Sequence, residues 1–399
     1  MTLRLALCSL LTAGLLLAQP GAARAGPIRT VEASPPALPS NADIDARIDR
    51  IMTGTGARGM ALALVDDGRI VHVVARGNRN AASDPLTTDT IMYGASLTKT
   101  VYAFTVMQLV DAGLVNLDRS IGEQLDRPLT ELYSEDLANR YADWRALDPR
   151  WRDITHRISL THSTGFANFG FLEPDGKEHI HFDPGTRFSY SGDGFILSQF
   201  VLEQGKAGLD IGAEVQHRVF DRFGMTNSSL IWRPDFAANL ADGWDETGAV
   251  EPHDERSKVR AAGSMDTTIS DMAKLAAGFI RGEGLSPEGR AEMLRPQLPI
   301  VSSTQFGGAD LAPDRRRADL SAGLGVITFT GPQGPGFYKG GHNGTTANTW
   351  ICLETSRRCV VILSNDVRSE RGFPALVRFI LGDTDVPYDW EYGPETPDL

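Results

Sequence analysis

The sequence predicts an α+β protein, in which an antiparallel sheet is flanked by helices and a mostly helical segment is inserted between its strands. Strand-like segments occur near both ends of the chain, at residues 59–74 and 323–364. Residues 118–265, by contrast, show helical patterns and no good pair of strands. The strands from the two ends are therefore expected to meet in one sheet, with the helical segment as a second subdomain.

The individual elements follow from local patterns. Residues 42–52 have the spacing of a capped amphipathic helix, and a turn at 66–69 joins the first two strands into a hairpin. The other predicted elements, in chain order, are helices at 193–204, 213–223 and 270–280, strands at 323–328, 336–341, 345–353 and 360–364, and a closing helix at 373–381. With 399 residues, 41% of them hydrophobic, the chain can form one large globular unit.

The first 25 residues have the pattern of a secretory signal peptide. Arg4 precedes an apolar run at 5–18, and a small-x-small sequence follows at 23–25. A transmembrane anchor is the alternative, but the apolar run is shorter than the roughly 20 residues that span a bilayer. We therefore expect an exported protein, periplasmic or secreted, whose mature form begins near Gly26 and has no membrane span.

The net charge limits the possible partners, and the composition near the two ends of the sequence predicts segments outside the globular unit. The net charge is −12 and no basic cluster occurs, which argues against nucleic acid or an anionic membrane as a partner. The proline-rich residues 26–40 predict an extended linker, and residues 384–399 predict a loosely packed tail. The oligomeric state stays open.

Residues 92–114 carry the first chemical motif. Apolar residues on nearly every side of this run predict a buried helix, and Ser96 and Lys99, three residues apart at its start, share one face. Burial would favour a neutral amine that accepts the proton of the Ser96 hydroxyl, and the helix dipole would favour a developing oxyanion. Ser96 is therefore the predicted nucleophile and Lys99 its base, although Ser-x-x-Lys alone also arises by chance.

Two further motifs follow downstream. Within residues 182–196, a turn and the helix cap Ser191 fix the position of Tyr190, which is either a core aromatic or a proton relay. The glycine-rich run at 340–346 begins a strand and lets a ligand approach its backbone closely. It matches neither phosphate-binding glycine motif, so it suits an oxyanion hole better than a nucleotide site.

Two cysteines remain once Cys8 has left with the signal peptide. Cys352 and Cys359 flank a turn-like sequence between two predicted strands, so a hairpin would place them opposite each other. An oxidising compartment would then allow a disulfide bond, and two unpaired buried thiols are the alternative.

No metal or other cofactor is predicted. His179 and His181, two residues apart in a loop with Asp183, are more typical of a surface than of a metal site. A Ser-His-Asp triad using His162 is disfavoured, because the chain has no GxSxG elbow and Lys99 already supplies a base.

The order of these motifs resembles the serine β-lactamase and penicillin-binding superfamily, in particular its class C β-lactamase-like branch of esterases, D-aminopeptidases and D,D-carboxypeptidases. The superfamily's SxxK, second polar motif and KTG are similar to residues 96–99, 190–192 and 342–344. Supporting similarities are the sequences SLTHSTG at 159–165, FGMT at 223–226 and the segment at 261–272.

The resemblance implies a β-lactamase-like fold with the active site between the sheet and the helical subdomain. The implied roles are Ser96 as acylating nucleophile, Lys99 as its base, Tyr190 as proton relay, the backbone N–H groups of Ser96 and Thr345 as oxyanion hole, and His342, Asn343 and Gly344 as substrate-binding residues. The corresponding boundaries are a signal peptide at 1–25, a linker at 26–40, a hydrolase domain at 41–383 with its α/β part at 41–117 and 266–383 and its helical part at 118–265, and a tail at 384–399.

Two departures from the family pattern bear on the substrate. The family's YxN is YSG at 190–192, so an amide donor is missing, and KTG is HNG at 342–344, so a permanent cation becomes a histidine. We therefore predict an exported serine hydrolase that forms an acyl-enzyme with a small-molecule ester, amide or peptide and prefers esters. The alternatives are a D,D-peptidase or β-lactamase acting on peptidoglycan peptides or β-lactams, and a noncatalytic penicillin-binding-like module.

Overall fold

The computed structural model describes residues 35–392, which belong to one compact unit. The predicted signal peptide, residues 26–34 of the predicted linker and residues 393–399 of the predicted tail lie outside the described residues. Every helix within the described range is too short or too polar to cross a bilayer.

An antiparallel sheet of eight strands is built from both ends of the chain, which confirms the predicted fold class. Its strands are β1 (Gly59–Asp66), β2 (Arg69–Gly77), β3 (Leu298–Pro299), β4 (Ser321–Ala322), β5 (Ile327–Gly331), β6 (Gly334–His342), β7 (Ala347–Leu353) and β8 (Arg358–Ser364). Their order in the sheet is β2-β1-β8-β7-β6-β5-β4-β3. The ends of the chain meet where β1 pairs with β8, in the register Met60 to Ser364.

Helices cover both faces of the sheet and form the inserted segment. The longer helices and the last one are α1 (Asn41–Thr55), α2 (Leu97–Asp111), α3 (Gly192–Gln204), α4 (Ile269–Ile280), α5 (Pro287–Leu294), α6 (Phe373–Leu381) and α7 (Tyr388–Tyr392). Short helical segments lie at Ile121–Gln124, Leu129–Glu131, Glu135–Arg140, Pro149–Asp153, His156–Leu160, Gly170–Leu172, Ile211–Val215, Gln216–Asp221, Pro234–Asn239, Pro313–Arg315 and Val367–Gly372. Short strand pairs join Met92–Tyr93 to Asp266–Thr267, Gly243–Trp244 to Val250–Glu251, and Ser302–Thr304 to Gly307–Asp310.

Three apolar clusters hold these elements together. One face of the sheet packs against α2 and α4, and the other packs against α1 and α6. A third cluster, with Trp144, Phe166 and Phe200, fills the inserted helical segment. Helix α2 is buried continuously from Leu97 to Leu109, as its apolar residues on every side predict. Its first turn is therefore held rigidly against the sheet.

The predicted strand at 323–328 begins later in the structure, and this difference shapes the site. Gly325 has a φ of 75°, its N–H donates to the carbonyl of Leu160 at 2.9 Å, and its carbonyl accepts from Thr100 at 2.8 Å. Residues 323–326 form the turn of the β4–β5 hairpin, in which Ala322 pairs with Ile327, so β5 begins only at Ile327, opposite Tyr338 of β6. The rest of β6 is left with an open edge.

The prediction of a loosely packed tail at 384–399 is wrong for α7. Tyr388 and Trp390 are buried, the Trp390 indole N–H donates to the Ser302 carbonyl at 3.1 Å, and Tyr392 donates to the Asn348 carbonyl at 3.1 Å. Aromatic residues alternate with acidic ones in α7, so its sequence looks polar. The surface that buries these aromatic side chains is assembled from distant parts of the chain, and the local sequence does not reveal it.

Candidate active site

The start of α2 brings the predicted nucleophile and base together. Lys99 is 1% exposed, and its Nζ lies 3.0 Å from Ser96 Oγ and 2.6 Å from the carbonyl oxygen of Ala262. Burial lowers the pKa of Lys99, because the ammonium loses its hydration, while the neighbouring Tyr190 opposes that shift. The residue before Ser96, Ala95, has a φ of 45°, a strained conformation of the kind that clusters at functional sites.

Tyr190 lies between two buried lysines. Its ring centre is 4.9 Å from the Nζ of Lys99 and 5.0 Å from that of Lys339, and its hydroxyl is 3.4 Å from Lys339 Nζ. His162 stacks on the Tyr190 ring, with 4.2 Å between ring centres. The structure therefore brings the predicted phenol to the predicted nucleophile and base.

His162 contacts both the ring of Tyr190 and the backbone of the next residue. Its Nδ1 lies 3.1 Å from the backbone N–H of Ser191, which donates to it. Burial lowers the pKa of His162 well below its ordinary value, and the positive charges of Lys99 and Lys339 lower it further. A neutral ring in this place packs against Tyr190 and accepts a backbone hydrogen bond, which fixes the phenol.

The open edge of β6 faces this group. Residues 339–342 pair with β7, while the pairing of β6 with β5 ends at Tyr338. At the end of the β6–β7 hairpin, the N–H of Asn343 donates to the carbonyl of Thr346 at 3.0 Å. Hydrogen-bonded pairs alternate along antiparallel strands, so the N–H of His342 points away from β7, to the open edge.

Gly341 lets this edge approach the start of α2. A Cβ built on Gly341 would lie 2.9 Å from the backbone nitrogen of Ser96 and 3.0 Å from that of Leu97. The N–H of Leu97 donates to the Gly94 carbonyl, whereas that of Ser96 has no hydrogen-bond partner among residues 35–392. The N–H groups of Ser96 and His342 thus remain as backbone donors beside the predicted nucleophile.

Lys339, which sequence reasoning missed, occupies the place expected of His342. It is 4% exposed, and its Nζ donates to the Gly340 carbonyl at 2.6 Å. Burial lowers the pKa of Lys339 to about 8, and the carboxylate of Glu391 opposes the shift. The tripeptide Lys339-Gly340-Gly341 has the Lys-x-Gly spacing of the family motif, three residues before HNG, and this was the available signal.

Of the three residues predicted to bind the substrate, His342, Asn343 and Gly344, the structure places only the first two in the cleft. His342 and Asn343 line the cleft, and the His342 side chain bonds to Glu370 at 3.0 Å, a contact that raises the pKa of the imidazole. Gly344 is exposed at the hairpin turn. The prediction that a neutral histidine replaces the lysine of the family's KTG is therefore corrected, because Lys339 supplies a basic group to the cleft.

Thr345 does not supply the donor predicted for it. Its N–H donates to Asn343 Oδ1 at 3.0 Å, its side chain is buried, and its carbonyl accepts from the Trp244 N–H at 3.2 Å. The register of the hairpin places His342, not Thr345, beside the Ser96 helix, because the motif begins at Lys339.

Two residues of a neighbouring loop, Asn168 and Phe169, lie next to Gly192, where the family's YxN has an amide side chain. A Cβ built on Gly192 would overlap the ring of Phe169, so this aromatic side chain fills the space that a longer residue would need. Asn168, the preceding residue, lines the cleft, and its Oδ1 accepts the Gly192 N–H at 2.9 Å. The loop before α3 therefore brings both an aromatic ring and an amide to the cleft.

These groups line a cleft of about 510 Å³. Three aromatic side chains, Phe169, Phe171 and Phe306, line it, and the last two are 72% and 51% exposed. The lining also includes the charged residues Asp254 and Arg256. An apolar group of a substrate would be accommodated against the aromatic side chains.

The histidines considered as metal ligands lie apart from this cleft. His179 pairs with Asp175 at 3.1 Å, and His181 pairs with Glu173 at 2.5 Å. Within the described part of the chain, no group of three or more potential ligands converges.

Comparisons with known proteins agree with this geometry. The β-lactamase family model matches residues 44–382. Lovastatin esterase from Penicillium rubens is 28% identical over 221 residues, 48% of this chain and 54% of that protein, so the match spans about half of the esterase's length. Penicillin-binding protein 4 from Amycolatopsis lactamdurans is 22% identical over 361 residues, 84% of this chain and 88% of that protein.

A solved structure shows the same fold. EstCE1, described as a hydrolase with promiscuous acyltransferase activity, superposes with a TM-score of 0.67 at 18% identity, over 86% of this chain and 100% of that one. The family model covers most of the chain, and the motif order Ser96-x-x-Lys99, Tyr190, Lys339-x-Gly341 is assembled in one cleft. The chain therefore belongs to the β-lactamase family of serine hydrolases.

Proposed function

We propose that the protein hydrolyses esters through an acyl-enzyme on Ser96, and that it prefers esters without a free carboxylate. The observation that carries this proposal is the buried Lys99 Nζ, 3.0 Å from Ser96 Oγ, at the open edge of β6. A lysine whose pKa burial lowers can hold the neutral form that takes a proton from a serine.

In the acylation step, Ser96 Oγ attacks the carbonyl carbon of the ester while Lys99 accepts the hydroxyl proton. The backbone N–H groups of Ser96 and His342 would hold the oxyanion. Tyr190, between Lys99 and Lys339, would pass the proton to the leaving alkoxide as the C–O bond breaks. Water then attacks the carbonyl carbon of the acyl-enzyme, and its proton passes through the same groups to Ser96 Oγ as the bond between the acyl carbon and Oγ breaks. The carboxylic acid is released and the free serine is restored.

The choice of an ester substrate rests on the aromatic side chains that line the cleft. Phe169 occupies the space of the family's amide side chain, and Phe171 and Phe306 extend the apolar surface. An uncharged acyl group gains from burial against these rings and requires no amide donor at position 192. A lovastatin esterase among the relatives is consistent with this choice.

A second candidate function is the hydrolysis of β-lactams or D-alanyl peptides. It is favoured by Lys339, because a buried lysine at the cleft is suited to a substrate carboxylate. Asn168 also brings an amide to the cleft, and a penicillin-binding protein is among the relatives. Ester preference is thus a matter of relative rates at one site.

We also propose that the protein is exported, to the periplasm or to the medium. The support within the described residues is the disulfide bond between Cys352 and Cys359, which is typical of an oxidising compartment. The predicted signal peptide at 1–25 adds a sequence argument.

The proposal is tested on the chain from Gly26 with three kinds of substrate: p-nitrophenyl acetate and butyrate, nitrocefin, and a D-alanyl-D-alanine peptide. We expect labelling of Ser96 by a fluorophosphonate, and a higher kcat/KM for the esters than for the other two. Ser96→Ala is the control for labelling at another serine. Faster turnover of nitrocefin or the peptide would establish the second candidate. The absence of both labelling and turnover would indicate a noncatalytic binding module.

A further inference from the structure

Helix α7, the last helix of residues 35–392, places a carboxylate in the cleft that Lys339 also lines. Glu391 lines the cleft together with Lys339 and His342. The helix that carries it is anchored on both sides of this residue by Trp390 and Tyr392, which donate to backbone carbonyls at 3.1 Å. The backbone carbonyl of Glu391 itself lies 3.4 Å from Gln305 Nε2. The carboxylate is therefore held in place by its helix.

The sequence of β6 makes room for this carboxylate. A Cβ built on Gly340 would overlap Glu391 Oε1 and the Tyr392 hydroxyl oxygen. Any residue with a side chain at this position, including the threonine of the family's KTG, would displace them. The glycine at 340 and the acidic residue at 391 thus fit each other sterically.

Charges in this part of the cleft are balanced by the chain itself. Two side chains with basic groups, Lys339 and His342, are matched by two carboxylates, Glu391 and Glu370. Burial raises the pKa of Glu391, while Lys339 and His342 favour its ionised form. A substrate carboxylate that approached Lys339 would enter the part of the cleft that Glu391 also lines, and the juxtaposition of like charges disfavours its binding.

We propose that Glu391 is a specificity-determining residue, which keeps substrates with a free carboxylate on the leaving group away from Lys339. This inference rests on the proposed ester hydrolysis and names its substrate class, esters with uncharged leaving groups. It also reconciles the buried cation of the site with an ester preference, because the chain supplies its own anion to that cation.

The test uses two esters of the same size, 3-carboxyphenyl butyrate and 3-carbamoylphenyl butyrate, whose leaving groups differ in charge. The measured quantity is kcat/KM for 3-carboxyphenyl butyrate divided by kcat/KM for 3-carbamoylphenyl butyrate, both at pH 7. In Glu391→Gln, this ratio should rise about tenfold or more over the wild type, because a like charge has been removed. Taking the ratio cancels differences in folded fraction and in the reactivity of the two phenols.

The matched control is Asp389→Asn, which changes the net charge equally on the same helix but at an exposed residue outside the cleft. Its ratio should stay at the wild-type value. If Glu391→Gln leaves the ratio unchanged, or if both variants raise it equally, the inference is wrong. Glu391→Met, of similar size and uncharged, replaces the glutamine variant if that variant does not fold. Wild-type protein that cleaves neither ester would instead overturn the proposed function, and this inference with it.

Discussion

The two sides of the cleft obtain their chemistry in different ways. On the helix side, Ser96 and Lys99 are three residues apart on one buried helix, so their contact follows from helical geometry. On the strand side, Lys339 and His342 are placed by the register of β6 with β7, by the late start of β5 and by α7. A motif on a helix thus carries its own geometry, whereas a motif on a strand acquires it from partners far away in sequence.

The largest expected effects are on the helix side. Ser96→Ala and Lys99→Met should each lower kcat/KM for p-nitrophenyl butyrate by about 10³-fold or more, because nucleophile and base act as one unit. Circular dichroism and the thermal midpoint would verify that each variant folds. A matched control is Lys274→Met, on the exposed side of α4, which should retain wild-type rate. Near-normal turnover by either cleft variant would contradict the assignment.

Tyr190→Phe tests the group that joins the two sides. It retains the ring between Lys99 and Lys339 and removes only the hydroxyl, so kcat should fall about 10²-fold with little change in KM. Stopped-flow measurement of acylation would locate the loss in the chemical step. If the variant instead unfolds more easily and its rate per folded molecule is unchanged, Tyr190 is only a core aromatic.

On the strand side, the structure distinguishes Lys339 from His342. Lys339→Met should lower kcat/KM about 30-fold or more, because it removes the buried cation next to Tyr190. His342→Gln should cost less than about threefold, since its proposed contribution is a backbone N–H that the substitution keeps. Equal losses would show that the imidazole takes part and that the correction from His342 to Lys339 is wrong.

The pH dependence provides a second measure of Lys339. Its pKa is lowered by burial to about 8, so the cation is present below pH 8 and is lost as the pH rises through that value. For a neutral ester, kcat/KM should therefore fall on the alkaline side with an apparent pKa of about 8. Lys339→Arg keeps its charge to higher pH, so any activity that it retains should lack this alkaline fall. An unchanged profile in the arginine variant would assign the titration to another group.

The same contrast explains how far the sequence could be interpreted. The hairpin of β1 and β2, the helix at Ser96 and the Tyr190 turn were predictable, because each depends on spacing within a few residues. The start of β5 was not, because it depends on the contact of Gly325 with Leu160 in the inserted segment. Glu391 carried no signal at all, since it reaches the cleft only when α7 packs on the sheet.

Assignment of the strand motif failed for a related reason. Both Lys-x-Gly at 339–341 and His-x-Gly at 342–344 match the family spacing in letters. Lys339 also keeps the family's lysine, a sequence signal that favours 339–341. The placement of Gly341 against the Ser96 nitrogen supports the same assignment. Similarly, the gap at position 192 was visible in the sequence, but its occupant, Phe169, comes from a separate loop.

The smallest effect on activity is expected from the disulfide bond, which belongs to the strand side but lies away from the cleft. Cys352 and Cys359 are directly opposed on β7 and β8, as the predicted hairpin required, and are bonded in the structure. Closing so short a loop contributes about 2 kcal/mol, chiefly by restricting the unfolded chain. The double variant Cys352→Ala/Cys359→Ala should therefore lose about that much unfolding free energy in a urea titration and keep kcat/KM within about twofold. Wild-type protein under reducing conditions is the control, because it keeps both sulfur atoms in the core, and it should lose a similar amount. A large loss of activity in the folded double variant would show that register in β7 and β8 controls the open edge of β6, and the contrast between the two sides would extend to the whole sheet.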